Sequence, residues 1–244
     1  MMWLILTVNN FYNGYRKKSK LYSPDCQNTD GKTRRSHMSD INKDVHKHAL
    51  LGGRLCLDFA NTVSWHDSSE KSQELLTSYE KLVNWSLQVD IINKKQSVSL
   101  LKKAENRPSE AKEVLQQAIE LRESIFRIFS LVSNNEKPAT KDLSILNEAL
   151  GKAYAMIRVV PDENKFSLEF LNCEERLNGM LPAIIQSAID ILTSEKELSR
   201  VKKCEGHPCG WLFLDTSRNR SRRWCSMADC GNRAKANRFY HNKK

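Results

Sequence analysis

The sequence predicts a mainly α chain with a small β-hairpin (α+β), a helical N-terminal region followed by a short, cross-linked C-terminal module. Three observations predict it. Leu, Ile, Glu and Lys recur at helical spacing through the middle of the 244 residues, with only 9 Gly and 6 Pro to interrupt them. Four of the 7 Cys crowd into the last 41 residues, which suits a metal better than a secreted disulfide framework. The formal charge of +10 is uneven: +5 over residues 1–48, −4 over 49–197 and +9 over 198–244. At 40% hydrophobic and 28% charged residues the chain suits a soluble globular protein and excludes collagen-like, mucin-like and wholly disordered classes. No apolar run approaches the roughly 18–20 residues that cross a bilayer, so no membrane partner is expected.

Residues 1–37 form a unit apart. Met1–Val8 is apolar but lacks the flanks of a signal peptide, and Asn, Lys, Ser and Arg follow without period as far as Arg34-Arg35-Ser36-His37. Met38-Ser39-Asp40 opens a more ordinary N-terminus. The stretch is expected to be a mis-called extension, with Met38 as the biological start, or else a disordered basic arm.

From Leu50 the elements can be justified in order. Leu51-Gly52-Gly53-Arg54 signals a turn, and Leu55–Val63 is an apolar run broken by Asp58, Asn61 and Thr62. Buried polar groups need partners, so these three either cap neighbouring backbone, the preferred reading, or line a pocket. Leu75, Tyr79, Leu82, Val83 and Leu87 keep one helical face, and a second helix covers Lys94–Asn106. A third begins after Pro108, with Ser109 as N-cap, and runs through Val114, Ala118, Leu121, Ile125 and Phe129. A fourth spans Thr140–Ala153. Ala155–Val160 and Phe166–Leu171 flank Pro161-Asp162-Glu163-Asn164 and read as a hairpin, and a last helix covers Leu181–Ser194. The body is thus 38–197 and the module 198–244. Cys56 and Cys173 read as inert thiols.

The module carries the sharpest motif. Cys204-Glu-Gly-His-Pro-Cys209 and Cys225-Ser-Met-Ala-Asp-Cys230 are two C-x4-C pairs separated by fifteen residues. A structural zinc takes four soft ligands in a tetrahedron, and two short-range pairs supply them with little loop entropy to overcome. The competing readings are unrelated thiols or two disulfides, and His207 is a weaker ligand candidate than Cys209. Trp211–Leu214 reads as a strand, Asn219–Ser221 as a turn and Arg222–Trp224 as its return strand. Met227–Phe239 reads as a helix with Cys230 in its first turn. Knuckle, hairpin and ligand-bearing helix make a treble-clef-like zinc finger.

The run Cys225-Ser-Met-Ala-Asp-Cys230-Gly231-Asn232-Arg233, preceded by Cys209–Ser217 and Arg222-Arg223-Trp224, resembles the CGNR zinc finger. Leu55-Cys-Leu-Asp-Phe-Ala-Asn-Thr62 resembles the opening of the ABATE domain, which usually precedes that finger. The resemblance implies a stress-induced bacterial transcriptional regulator whose finger binds DNA, with RNA binding as an alternative. It places the zinc ligands on Cys204, Cys209, Cys225 and Cys230. The N-terminal extension is not expected of the family.

The residues argue for nucleic acid independently. Arg218, Arg220, Arg222 and Arg223 crowd the hairpin, and Arg233, Lys235 and Arg238 sit on the helix, where guanidinium forks can grip phosphates or read guanine edges. Arg222 and Arg223 are expected to face solvent. The three helix cations share no single narrow stripe. Trp211 and Trp224 read as finger core, and Asp215 and Asn232 as ties within the finger. No enzyme is expected: a zinc closed by four Cys has no open position, and no phosphate loop, nucleophile elbow or zinc-protease motif occurs. The reading is a cytoplasmic zinc-containing regulator that prefers DNA to RNA. Its helical domain senses or interacts, with a small-molecule effector possible. A zinc-stabilised protein-interaction module is the other alternative, and the oligomeric state stays open.

Overall fold

Asp58, Asn61 and Thr62, the polar breaks in an apolar run, sit where the chain's first described helix ends. The computed structural model describes residues 49–162, 165–170 and 176–241; the leader over 1–37, Met38 and Cys173 lie outside them. Helix α1 (Leu55–Ala60) is buried at every residue. Asp58 Oδ1 accepts from Gly52 N at 2.8 Å, which closes the preceding turn, and Thr62 Oγ1 donates to Phe59 O at 2.7 Å. Asp58 and Thr62 thus cap neighbouring backbone, as the sequence suggested, whereas Asn61 bonds the distant backbone of Leu212. Gly52 is obligatory here, because a Cβ would lie 2.9 Å from Leu57.

A two-residue ladder follows, β1 (Val63–Ser64) against β2 (Gln73–Glu74), too short to leave a periodic signal. Helix α2 (Tyr79–Gln88) starts later than the apolar pattern, because Ser78 accepts from Lys81 N and so sets the N-cap. Helix α3 (Lys94–Asn106) opens with a capping box between Asn93 and Gln96. Helix α4 (Pro108–Ser133) begins one residue before the expected cap: Pro108, with its fixed φ and missing N–H, takes the first helical position and draws Ser109 into the first turn. Helix α5 (Thr140–Tyr154) leads to the antiparallel pair β3 (Ile157–Asp162) and β4 (Lys165–Phe170), in register from Ile157↔Phe170 to Asp162↔Lys165. Helices α6 (Leu181–Leu192) and α7 (Glu195–Leu198) complete the body. Among the described residues no helix is long and apolar enough to cross a membrane.

The basic end begins with β5 (Val201–Lys203), which pairs antiparallel with β6 (Leu212–Leu214). The expected partner of Leu212–Leu214 was Arg222–Trp224, which forms no strand. The reason lies in Asp215, which is fully buried. Its carboxylate accepts from Lys202 Nζ at 2.7 Å, Ser217 N at 2.9 Å, Ser217 Oγ at 2.6 Å and Arg222 N at 3.0 Å. Those bonds curl residues 215–222 into a loop. Burial alone would raise the Asp215 pKa, but the donors outweigh it and hold the group at about 2. A π-helical turn (Met227–Gly231) and helix α8 (Asn232–His241) finish the described chain.

One core unites body and hairpin. Phe59 and Trp85 meet at 5.2 Å between ring centroids, within a buried cluster that also holds Leu82, Ile125, Phe129 and Ile184. The same cluster includes Val201, Leu212 and Leu214. Side chains alternate along a strand, so Phe213 turns the other way and packs among Cys204, Cys209, Cys225 and Cys230. Strand β6 is therefore the seam between an apolar core and a sulfur cluster.

Candidate metal centre and basic surface

The connection from β5 to β6 is the knuckle that carries Cys204 and Cys209. Cys225 ends the loop after Asp215, and Cys230 lies in the π-helical turn, whose start is capped by Ser226 Oγ accepting from Asp229 N at 3.2 Å. All four Sγ atoms lie within 4.8 Å of one another, and all four residues are buried. Cys209–Cys225 and Cys225–Cys230 are each 3.6 Å apart, close to the edge of about 3.8 Å expected for a tetrahedron with bonds of about 2.3 Å. Gly206 is needed in the knuckle: a Cβ would stand 2.7 Å from Cys230 Cβ. His207 is not among the gathered ligand atoms.

The donor set fits zinc chemically. Hydrogen bonds from the Cys209 and Cys225 thiols hold Cys204 at about 2, aided by backbone N–H groups of Cys225 and Gly206 at 3.3 and 3.4 Å. Sharing that charge pushes Cys209 and Cys225 far up. One thiolate among protonated neighbours is what the sulfurs alone can sustain; a cation at their centre lets all four ionise. Cys230 Sγ also accepts from Arg233 Nη2 at 3.0 Å. Arg233 in turn lies 4.7 Å from the centroid of Trp65, a body residue with φ 56°. Cys56, by contrast, is a buried thiol that desolvation pushes up to about 12, inert as expected.

The body grips this centre at several points. Asn61 bonds both backbone groups of Leu212, Trp211 Nε1 donates to Val63 O at 2.7 Å, and His66 N donates to Cys209 O at 3.0 Å. Lys203 Nζ pairs with Asp67 at 2.6 Å. Gly210, with φ 70°, passes so close to Asp67 that a Cβ would clash at 2.7 Å.

The comparisons with known proteins fall on these two parts. A model described as "CGNR zinc finger" matches residues 200–243. The ABATE model, described as "Putative stress-induced transcription regulator", matches residues 53–195, more than half of the chain. The chain belongs to the ABATE family and carries a CGNR finger. No curated protein matches it. The CGNR finger holds one structural zinc through Cys204, Cys209, Cys225 and Cys230.

The finger's predicted cations divide into two groups. Arg222 does not face solvent: its guanidinium donates to Trp224 O at 3.0 Å, Leu51 O at 3.4 Å and Cys225 O, and lies 4.3 Å from the Phe213 centroid. Burial lowers its pKa. Arg233 is turned inward as described. Arg223 is exposed, paired with Glu205 and set 5.3 Å from the Trp224 centroid. Arg218, Arg220, Lys235 and Arg238 are exposed. Trp211 and Trp224 pack on the finger core, as expected, and Asn232 ties back to Ala228 O at 2.9 Å. Sequence reasoning missed Trp65, which lies far outside the finger and resembles any other surface aromatic, and the cysteine bond of Arg233. With Arg233 withdrawn, Lys235 and Arg238 stand three residues apart and do share a helix face.

Proposed function

We propose that this ABATE protein is a cytoplasmic DNA-binding transcriptional regulator acting in stress responses, a binding protein without catalytic chemistry of its own. The observation that carries the reading is the exposed cation set of the CGNR finger: Arg218, Arg220 and Arg223 on the loop, Lys235 and Arg238 on α8. Four thiolates around one Zn2+ contribute two negative charges, so residues 198–244 keep a net charge of about +7 when loaded. A field of that sign on a module with few acids attracts a polyanion. The helical domain supplies the control: the groove of about 120 Å³ between α4, α5 and α6, lined by Leu121, Ile145 and Ile185 together with Glu120, Glu148 and Lys152, suits a small effector with an apolar part and a polar end.

The test is the double substitution Arg218→Glu with Arg220→Glu, assayed by gel shift on duplex DNA over a series of salt concentrations. Affinity should fall on every sequence, and the slope of log affinity against log salt should flatten by about 0.9 for each lost phosphate contact. Unchanged binding with zinc retained would favour a protein-interaction module instead.

A further inference from the structure

The C-terminal helix presents something a duplex-binding surface does not need. Helix α8 buries none of its residues. Near its end Phe239 is 57% exposed and Tyr240 71% exposed, their ring centroids 6.1 Å apart at 76°. Phe239 falls four residues after Lys235, so an aromatic ring shares a helix face with an exposed cation, and Arg238 is exposed on the same turn. Arg233, Lys235, Arg238 and His241 make the helix basic, and no acidic residue lies between Asn232 and His241.

We infer that α8 stacks unpaired bases of DNA: Phe239 and Tyr240 receive bases that have left the helix stack, while Lys235 and Arg238 hold the flanking phosphates. This rests on the DNA-binding reading and narrows its substrate class to duplex that is locally opened. The physical argument is complementarity on two counts. Exposed rings cost free energy in water and gain it by stacking on a flat base face, which any sequence offers once unpaired and none offers while paired. The charge beside them disfavours a cationic partner and suits a polyanion. Helix α8 contributes nothing to either buried cluster, and zinc content and the urea midpoint report what removing its rings does to the fold.

The experiment uses the full zinc-loaded chain with two labelled DNA probes of equal length, one fully paired and one with a central run of about six mismatches. The wild type should bind the mismatched probe about tenfold more tightly, and Phe239→Ala with Tyr240→Ala should bring the ratio of the two affinities close to one with zinc content unchanged. Equal binding of the two probes by the wild type overturns the inference and leaves the DNA reading standing. A preference that the double variant retains also overturns it, since the rings would not be its source. Failure to bind either probe sinks the DNA reading itself, and the inference with it.

Discussion

Asn61 acts as a strand beside Leu212: its Oδ1 accepts from Leu212 N and its Nδ2 donates to Leu212 O, both at 2.8 Å. A single carboxamide thus satisfies both backbone groups on the open side of β6, where the ladder with β5 leaves them unpaired. The bond joins the end of the first body helix to the strand between the zinc knuckle and the rest of the finger.

Asn61→Ala should therefore cost far more than an ordinary truncation. Two buried backbone groups would lose their partners, for a loss of about 3 kcal/mol in urea unfolding. A change of only a few tenths would show that water replaces the amide freely.

Zinc should be present at one equivalent per chain, and Cys225→Ser should abolish it. The variant should not unfold the hairpin. Leu214 N donates to Gly52 O at 2.8 Å, Leu212 is held by Asn61, and both side chains lie in the helical core. Hydrogen exchange should become fast over residues 225–241 and stay slow at Leu212 and Leu214. Fast exchange at those two amides would mean that the metal holds the strand, not the body.

Arg222→Lys tests whether this cation works inside or outside. A lysine keeps the charge but cannot reproduce a fork that reaches the carbonyls of Leu51, Trp224 and Cys225. Stability should drop by about 2 kcal/mol, with the salt slope of DNA binding unchanged. A flatter slope with normal stability would return Arg222 to the phosphate-contacting set.

Asp58 predicts a pH dependence. Burial raises its pKa from 3.8 to about 8, against the N–H groups of Gly52, Leu51 and Gly53 that lower it. Between those values the folded chain keeps a proton that the unfolded chain releases, so this group's contribution is fullest below about 4 and is lost as pH rises through about 8. Asp58→Asn retains an oxygen for Gly52 N and cannot ionise. Comparing urea midpoints at about pH 5.5 and pH 8.5 should show a decline in the wild type that is smaller in the variant. Equal declines would locate the effect elsewhere.

Much of this was legible along the chain because it is written at short range. The apolar period of α4 follows from which residues share a face at 3.6 per turn, and the zinc ligands follow from two four-residue gaps. The excess of positive charge over residues 198–244 needs only counting. What the sequence could not decide is where each cation spends its charge. Arg222 and Arg223 are neighbours of one type, yet one bonds a carbonyl 171 residues away in sequence and the other lies exposed. Arg233 reaches a cysteine on one side and Trp65 on the other, and the strand that pairs with Leu212 was Val201–Lys203 because Asp215 captured the chain that would have returned. Periodicity and spacing report local geometry, whereas a hydrogen bond such as that between Asn61 and Leu212 forms across 151 residues and exists only once packing of the whole core has brought its partners together.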